Sequence, residues 1–130
     1  MYKMNTDING LFFYSIFALL IGCTLLWGCA ETRVIGAPID HANLENGTYQ
    51  GSSRGGPNKA VVKVTIKDNH ISNVEIIEHQ AWKGKKAEKI IVERIIANQS
   101  TKVDAVSGAT NSSRVIMNAV QNAIEKAYRN

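Results

Sequence analysis

The fold of this chain follows from residues 59–78, which read Lys59-Ala-Val-Val-Lys-Val-Thr-Ile-Lys-Asp-Asn-His-Ile-Ser-Asn-Val-Glu-Ile-Ile-Glu78. Asp68 and Asn69 interrupt the stretch, and both residue types tolerate the left-handed backbone of a tight turn. On either side, apolar and polar residues alternate as in a strand with one buried face. The first half has Val62, Val64 and Ile66 on one side and Lys63, Thr65 and Lys67 on the other. The stretch therefore predicts a β-hairpin with strands over residues 59–67 and 70–78.

A shorter strand is predicted before this hairpin, over residues 48–52, and residues 54–58 carry the two glycines and the proline of a turn or loop. Residues 83–97 then predict a helix. Its apolar stripe is Ala87, Ile90, Ile91 and Ile95, flanked by Val92 and Ile96. Residues 112–128 predict a second amphipathic helix with its N-cap at Asn111, Ser112 or Ser113. The expected fold is α+β: a small antiparallel sheet, made of the β-hairpin and the preceding strand, packed against two helices.

The N-terminal part of the chain differs sharply from this domain. Residues 11–27 are almost wholly apolar, and a run of about 17 residues is long for a signal-peptide core and short for a membrane-spanning helix. Cys23 and Cys29 each follow a Leu-x-Gly triplet that resembles a bacterial lipobox. Cys29 is the preferred lipidation site because polar residues follow it directly. Cys23 and an uncleaved anchor are the alternatives.

These observations divide the chain into three parts. Residues 1–29 are expected to form a signal peptide or lipoprotein anchor segment, residues 30–45 a tether, and residues 46–130 the folded domain. In either interpretation of the apolar run the domain lies outside the cytoplasm, held at the cell membrane. Only Lys3 and Asp7 carry charge before residue 30, so the net charge of +4 belongs to the rest of the chain.

Several classes of site have no support in the sequence. It lacks Cys-x-x-Cys, His-Glu-x-x-His, a P-loop and a strand-linked Gly-x-Gly-x-x-Gly. His41 falls in the tether, His70 in the hairpin turn, and His79 at a strand end, where a surface position is more common than a catalytic one. A metal site and a hydrolytic triad are therefore not expected. The basic excess lacks interleaved aromatic residues, which argues against a nucleic-acid partner.

Residues 104–110, Asp-Ala-Val-Ser-Gly-Ala-Thr, carry the strongest functional signal. Ser107, Thr110, Ser112 and Ser113 supply hydroxyls at the expected start of the last helix, and Gly108 allows a close backbone approach. Unpaired N–H groups and the peptide dipoles make a helix start suitable for a phosphate. From the residues alone, an ordinary helix cap is the simpler interpretation.

The same stretch resembles the flavinylation motif Asp-x-x-Ser/Thr-Gly-Ala-Thr of the FMN-binding domain family. This domain occurs in the flavin subunits of the Na⁺-translocating NADH:quinone reductase and the Rnf complex, and in small bacterial lipoproteins. The likeness extends from about residue 44 to 127. It includes Asn46-Gly47-Thr48-Tyr49, Gly55-Gly56-Pro57, the hairpin, Glu78-His79 and Asn98-Gln99-Ser100.

The resemblance implies that a separate flavin transferase joins the FMN phosphate to Thr110 through a phosphoester bond, with non-covalent FMN as the alternative. It places Asp104 in the segment that the transferase recognises, and Ser107, Gly108 and Ala109 in the turn at the phosphate. The chain is then expected to be an electron carrier rather than a complete enzyme, with a membrane-bound reductase or another redox protein as its partner.

Two other functions stay open from the sequence: a non-redox lipoprotein module for binding or assembly, and a flavin-dependent reductase of a small extracellular acceptor. Trp82 is expected to be a core or rim aromatic, with stacking on the flavin as the alternative. The lysines Lys83, Lys85, Lys86 and Lys89 either form a solvated helix face or face an anion.

Overall fold

The computed structural model describes Gly36, residues 38–81 and residues 84–128. The described elements are a 3₁₀ turn at His41–Asn43, strands β1 (Gly47–Gly55), β2 (Asn58–Lys67) and β3 (His70–Gln80), and helices α1 (Lys86–Asn98) and α2 (Thr110–Glu125). The strands form one antiparallel sheet in the order β1-β2-β3. This arrangement confirms the expected α+β fold.

The hairpin of β2 and β3 closes as its sequence predicts. Asp68 and Asn69 have φ values of 49° and 61°, so the two turn residues adopt the left-handed conformation that a two-residue hairpin requires. Lys67 pairs with His70 directly across the turn. The turn between β1 and β2 is shorter than predicted: Gly55 pairs with Asn58, so only Gly56 and Pro57 connect the strands.

Helix α2 lies across β1 and β2, and α1 contacts β3 and α2. The inner face of β1 allows α2 to come very close at Gly51, where an added Cβ would overlap the carbonyl oxygen of Ala119. Around this contact, the core contains the inward side chains of the sheet and the apolar side of α2. Its fully buried larger members include Leu44, Val62, Val64, Ile66, Ile91, Ile95, Ile116, Val120 and Ile124.

Both helices depart from the predicted bounds. Helix α1 runs from Lys86 to Asn98, where residues 83–97 were predicted. Its buried stripe is also narrower than expected, because Ala87, Ile91 and Ile95 are buried whereas Ile90 is 36% exposed. Helix α2 begins at Thr110, two residues before the predicted start, and ends at Glu125 rather than 128. Ten of its residues are buried, so packing against the sheet decides which side faces inward.

The end of the domain opposite the β1–β2 turn is tied by side chains that bond to the backbone. Gln99, with φ 49°, ends α1. Its side-chain Nε2 donates hydrogen bonds to the carbonyls of Ile71 (2.9 Å) and Ile96 (2.8 Å). Its Oε1 accepts a hydrogen bond from the Ile71 N–H (2.8 Å). The His41 ring nitrogens lie 3.1 Å from the Asn69 carbonyl and 3.2 Å from that of Gln99. We call this region the closed end.

The described part of the predicted tether contacts this domain. Leu44 is fully buried and forms a β-bridge with Tyr128, and the Glu45 N–H donates to the Ala127 carbonyl at 2.8 Å. The division of the chain at residues 29 and 45 stays a prediction. The anchor segment, with Cys23 and Cys29, lies outside the described residues.

Candidate functional site

A cleft of about 460 Å³ opens at the end of the sheet where β1 turns into β2. Three separate parts of the chain line it: the β1–β2 turn, the segment before α1, and the motif that leads into α2. The lining residues are Pro57, Asn58, Gly84, Gly108, Ala109, Thr110, Asn111 and Ser112. Its volume lies in the range of small-molecule sites, roughly 300–1,000 Å³. We call the surrounding region the cleft end.

The first turn of α2 lines this cleft with Thr110, Asn111 and Ser112. The N-cap residue is Ala109, which makes no side-chain capping bond. The prediction of an N-cap at Asn111, Ser112 or Ser113 is therefore wrong, because the helix starts before all three. The first N–H groups of a helix have no acceptor within it. They leave the cleft with hydrogen-bond donors and the positive end of a helix dipole.

The four hydroxyls near the motif have different environments. Thr110 is exposed and lines the cleft, whereas Ser112 lines it but is buried. Ser113 is fully buried, where its Oγ donates to the Ala109 carbonyl (2.9 Å) and accepts from the Val106 N–H (3.0 Å). Ser107 is exposed and does not line the cleft. Ser113 therefore holds the turn before α2, and Thr110 offers an accessible hydroxyl.

The two glycines that line the cleft bring neighbouring segments together. Gly108 has φ 71°, which is strained for other residues, and the Nζ of Lys86 lies 3.3 Å from where its Cβ would be. At Gly84, an added Cβ would overlap the Ser112 side chain. The segment before α1 thus packs directly on the start of α2, and the first residue of α1 reaches the motif.

The structure places three of the five predicted site residues in the wall of the cleft and two outside it. Gly108, Ala109 and Thr110 line the cleft, while Asp104 and Ser107 do not. Asp104 is exposed, and its carbonyl oxygen accepts a hydrogen bond from Arg94 of α1. Sequence reasoning did not identify Asn58 and Gly84 as walls of the site. Trp82 and Lys83 lie outside the described residues.

His79 is the main correction among the histidines. Its side chain is 1% exposed, and its Nδ1 lies 2.8 Å from Glu88 Oε1 on α1. The register shift between Val61 and Val62 leaves Ile77 without a partner and reverses the alternation that would place His79 on the outer face. The buried Nε2 has no hydrogen-bond partner in the described part of the chain.

Two kinds of feature, a metal-binding cluster and a membrane-spanning helix, are absent from the described residues. Within the described ranges, no three His, Cys, Asp or Glu side chains are grouped so that they could hold a metal ion. Neither of the two described helices combines the length and the apolar character needed to cross a membrane. The cleft combines two glycines with the first N–H groups of α2, and Lys86 lies beside it at Gly108. This combination suits an anionic group such as a phosphate.

Comparison with known proteins assigns the domain. A family model for the FMN-binding domain matches residues 55–125. An uncharacterized protein of Treponema pallidum (strain Nichols) is 30% identical over 101 residues, which cover 73% of this chain and 27% of that protein. The NADH:fumarate oxidoreductase of Klebsiella pneumoniae (strain 342) is 26% identical over 108 residues, 80% of this chain and 12% of that enzyme. The chain thus spans only a minor part of either relative. By the family match, this chain belongs to the FMN-binding domain family, and FMN is its cofactor.

Proposed function

We propose that this chain is a membrane-tethered, extracytoplasmic electron carrier with FMN joined to the Thr110 hydroxyl by a phosphoester bond. One observation carries the choice of residue. Among the described residues that line the cleft, Thr110 and Ser112 have hydroxyls, and only Thr110 is exposed. A modifying enzyme can reach an exposed hydroxyl, whereas the Ser112 side chain is buried against Gly84.

The residues of the cleft fit the phosphate end of FMN. The first N–H groups of α2 are available as donors, since Ala109 supplies no side-chain cap. Gly108 and Gly84 keep the space beside the turn free of a side chain, because a Cβ at Gly84 would displace Ser112 and so alter the cleft wall. These features support a site that holds a phosphate at the start of α2. When bound, FMN supplies one- or two-electron redox chemistry.

Attachment at Thr110 is a phosphoryl transfer with a defined balance of bonds. A bond forms between Thr110 Oγ and the flavin phosphorus, the hydroxyl proton leaves, and the bond from phosphorus to the leaving group breaks. The FMN donor must therefore be activated, as in a dinucleotide whose phosphoanhydride provides the leaving group. We propose a separate flavin transferase as the enzyme, since the cleft offers an accessible hydroxyl and the exposed Asp104 belongs to the adjoining segment.

The membrane tether and the redox partner belong to the same proposal. The apolar residues 11–27 and Cys29 support an anchored lipoprotein, with Cys23 as the alternative site. A covalent flavin suits this location, because a dissociating cofactor outside the cytoplasm would be diluted away. A membrane-bound reductase is the proposed electron donor. The likeness to part of an enzyme named NADH:fumarate oxidoreductase supports a redox role for the domain.

The test is to co-express the full chain with a bacterial flavin transferase and extract it from the membrane in detergent. Visible absorbance and intact mass then report the flavin and any lipid adduct together. We expect one FMN per chain in the wild type and in Ser107→Ala, and none in Thr110→Ala. An adduct that survives Thr110→Ala would contradict the proposed attachment site, and a mass without lipid and with the N-terminus intact would contradict lipidation.

A further inference from the structure

A lysine lies beside the glycine of the motif, although it comes from a different element of the fold. Lys86 is the first residue of α1, and its Nζ lies 3.3 Å from the position of a Cβ at Gly108. Gly108 lines the cleft together with Thr110. The positive charge of Lys86 is therefore held at the motif by the packing of α1 and not by neighbours in sequence.

The charged neighbours of Lys86 on α1 are engaged elsewhere. Glu88 contacts the buried His79 at 2.8 Å, and Glu93 lies 3.8 Å from Lys89. Lys86 itself forms no ion pair with any residue in the described part of the chain. Its ammonium group consequently has hydrogen-bond donors available for an anion at the cleft.

The start of α1, which carries the exposed Lys86, is held in place by contacts on both sides of it. The Ala87 N–H donates to the Gly84 carbonyl at 2.9 Å, which forms the turn that begins α1. One residue further along, the Glu88 contact with His79 ties the first turn of α1 to β3. Gly84 packs against Ser112 on the other side. These contacts hold the start of α1 next to the start of α2.

We propose that Lys86 binds the phosphate of the flavin and makes the cleft prefer FMN over riboflavin. The proposal rests on the proposed function for the location of the phosphate, but it does not require a covalent bond. A charged hydrogen bond to a phosphate is roughly twice as strong as a neutral one, and it adds to the field of the α2 N-terminus. Lys86 is thus a binding residue that sets specificity for the anionic end of the cofactor.

Non-covalent binding by the unmodified chain provides the test. The full chain is purified in a non-ionic detergent from cells without a flavin transferase, and flavin fluorescence is titrated with FMN and with riboflavin, which lacks the phosphate. We expect Lys86→Met to weaken FMN binding by about tenfold, which corresponds to about 1.4 kcal/mol. Riboflavin binding should change less than about twofold, since the lost interaction is with the phosphate.

Two control variants separate the position of the charge from its mere presence. Lys86→Arg keeps a cation and should retain FMN binding within about threefold. Lys89→Met removes the same charge from an exposed site on the same helix and should have less than about a twofold effect. Equal losses for FMN and riboflavin in Lys86→Met, equal losses in Lys86→Met and Lys89→Met, or no saturable FMN binding by the wild type would each overturn the proposal.

The attachment site and the lysine can fail independently. Flavinylation by a transferase reports on Thr110, whereas the FMN and riboflavin titrations of Lys86→Met report on the lysine. If Thr110→Ala is still flavinylated by a transferase, the attachment site is wrong and the Lys86 result stands. If Lys86→Met binds FMN as tightly as the wild type while Thr110→Ala loses the adduct, only the role of Lys86 is wrong.

Discussion

The two ends of the domain use polar groups in opposite ways. At the closed end, the Gln99 side chain bonds to three backbone groups, and the His41 ring lies within hydrogen-bond distance of two carbonyls. At the cleft end, Ala109 leaves the start of α2 without a side-chain cap. One end satisfies its backbone internally, while the other keeps donors for a ligand. We therefore expect substitutions at the closed end to affect stability more than cofactor binding.

The largest effect is expected where α2 packs on β1, since this contact supports both ends. In Gly51→Val the new side chain would collide with the Ala119 carbonyl, so α2 must move. We expect a loss of about 3 kcal/mol or more in the free energy of unfolding, together with reduced FMN loading. Thermal unfolding measures the loss of stability, and visible absorbance measures the FMN loading. Ser52→Ala, at the exposed neighbouring position, should leave both within error; unchanged stability of Gly51→Val would refute the close packing.

A change at the closed end should lower stability without altering cofactor chemistry. Gln99→Met keeps the length of the side chain but removes the partners of the Ile71 N–H and carbonyl, whereas the Ile96 carbonyl keeps its bond from the Gln99 backbone N–H. The expected cost is about 2 kcal/mol of unfolding free energy, measured by urea denaturation. FMN loading at a temperature where the variant is folded should equal that of the wild type. A loading defect at that temperature would show that the closed end and the cleft end are coupled. Gln80→Met, at an exposed site, is the matched control.

The smallest change in stability, with the sharpest functional contrast, is expected at two glycines with positive φ. Gly108→Ala and Gly56→Ala both force alanine into the left-handed region, at φ 71° and 59°, and should each cost about 1 kcal/mol. Only the alanine at Gly108 would press on Lys86, because an added Cβ at Gly56 meets nothing within 4 Å. FMN binding should therefore fall in Gly108→Ala alone. Equal FMN affinities in the two variants would argue that the Gly108 turn does not contribute to the site.

Much of the fold could be predicted because its signals are local. The alternation of Val62, Val64 and Ile66 and the Asp68-Asn69 turn fix the hairpin without reference to the rest of the chain. The phase of β3 beyond Ile76 could not be predicted in this way, since the unpaired Ile77 shifts His79 to the inner face. The exposure of Ile90 likewise depends on how narrow the contact of α1 with the sheet is.

The site was predictable in its motif but not in its surroundings. Residues 104–110 indicate that a helix begins here. The capping preferences of Asn and Ser placed its start too late, because Ser113 bonds to the backbone of the preceding turn and does not cap the helix. The opposite walls, at Asn58 and Gly84, come from distant parts of the chain. No periodicity in the sequence brings them together. Lys86 similarly gains its place at Gly108 only through the packing of α1.

We propose Thr110 as the residue that carries the flavin. The most direct measurement is site-localising tandem mass spectrometry of the full wild-type chain after co-expression with a flavin transferase. We expect the fragment series over residues 104–114 to gain the flavin phosphate at Thr110 and to leave Ser107, Ser112 and Ser113 unmodified. Flavin phosphate on any of those serines, or a fully loaded chain that releases all of its FMN on denaturation, would contradict it.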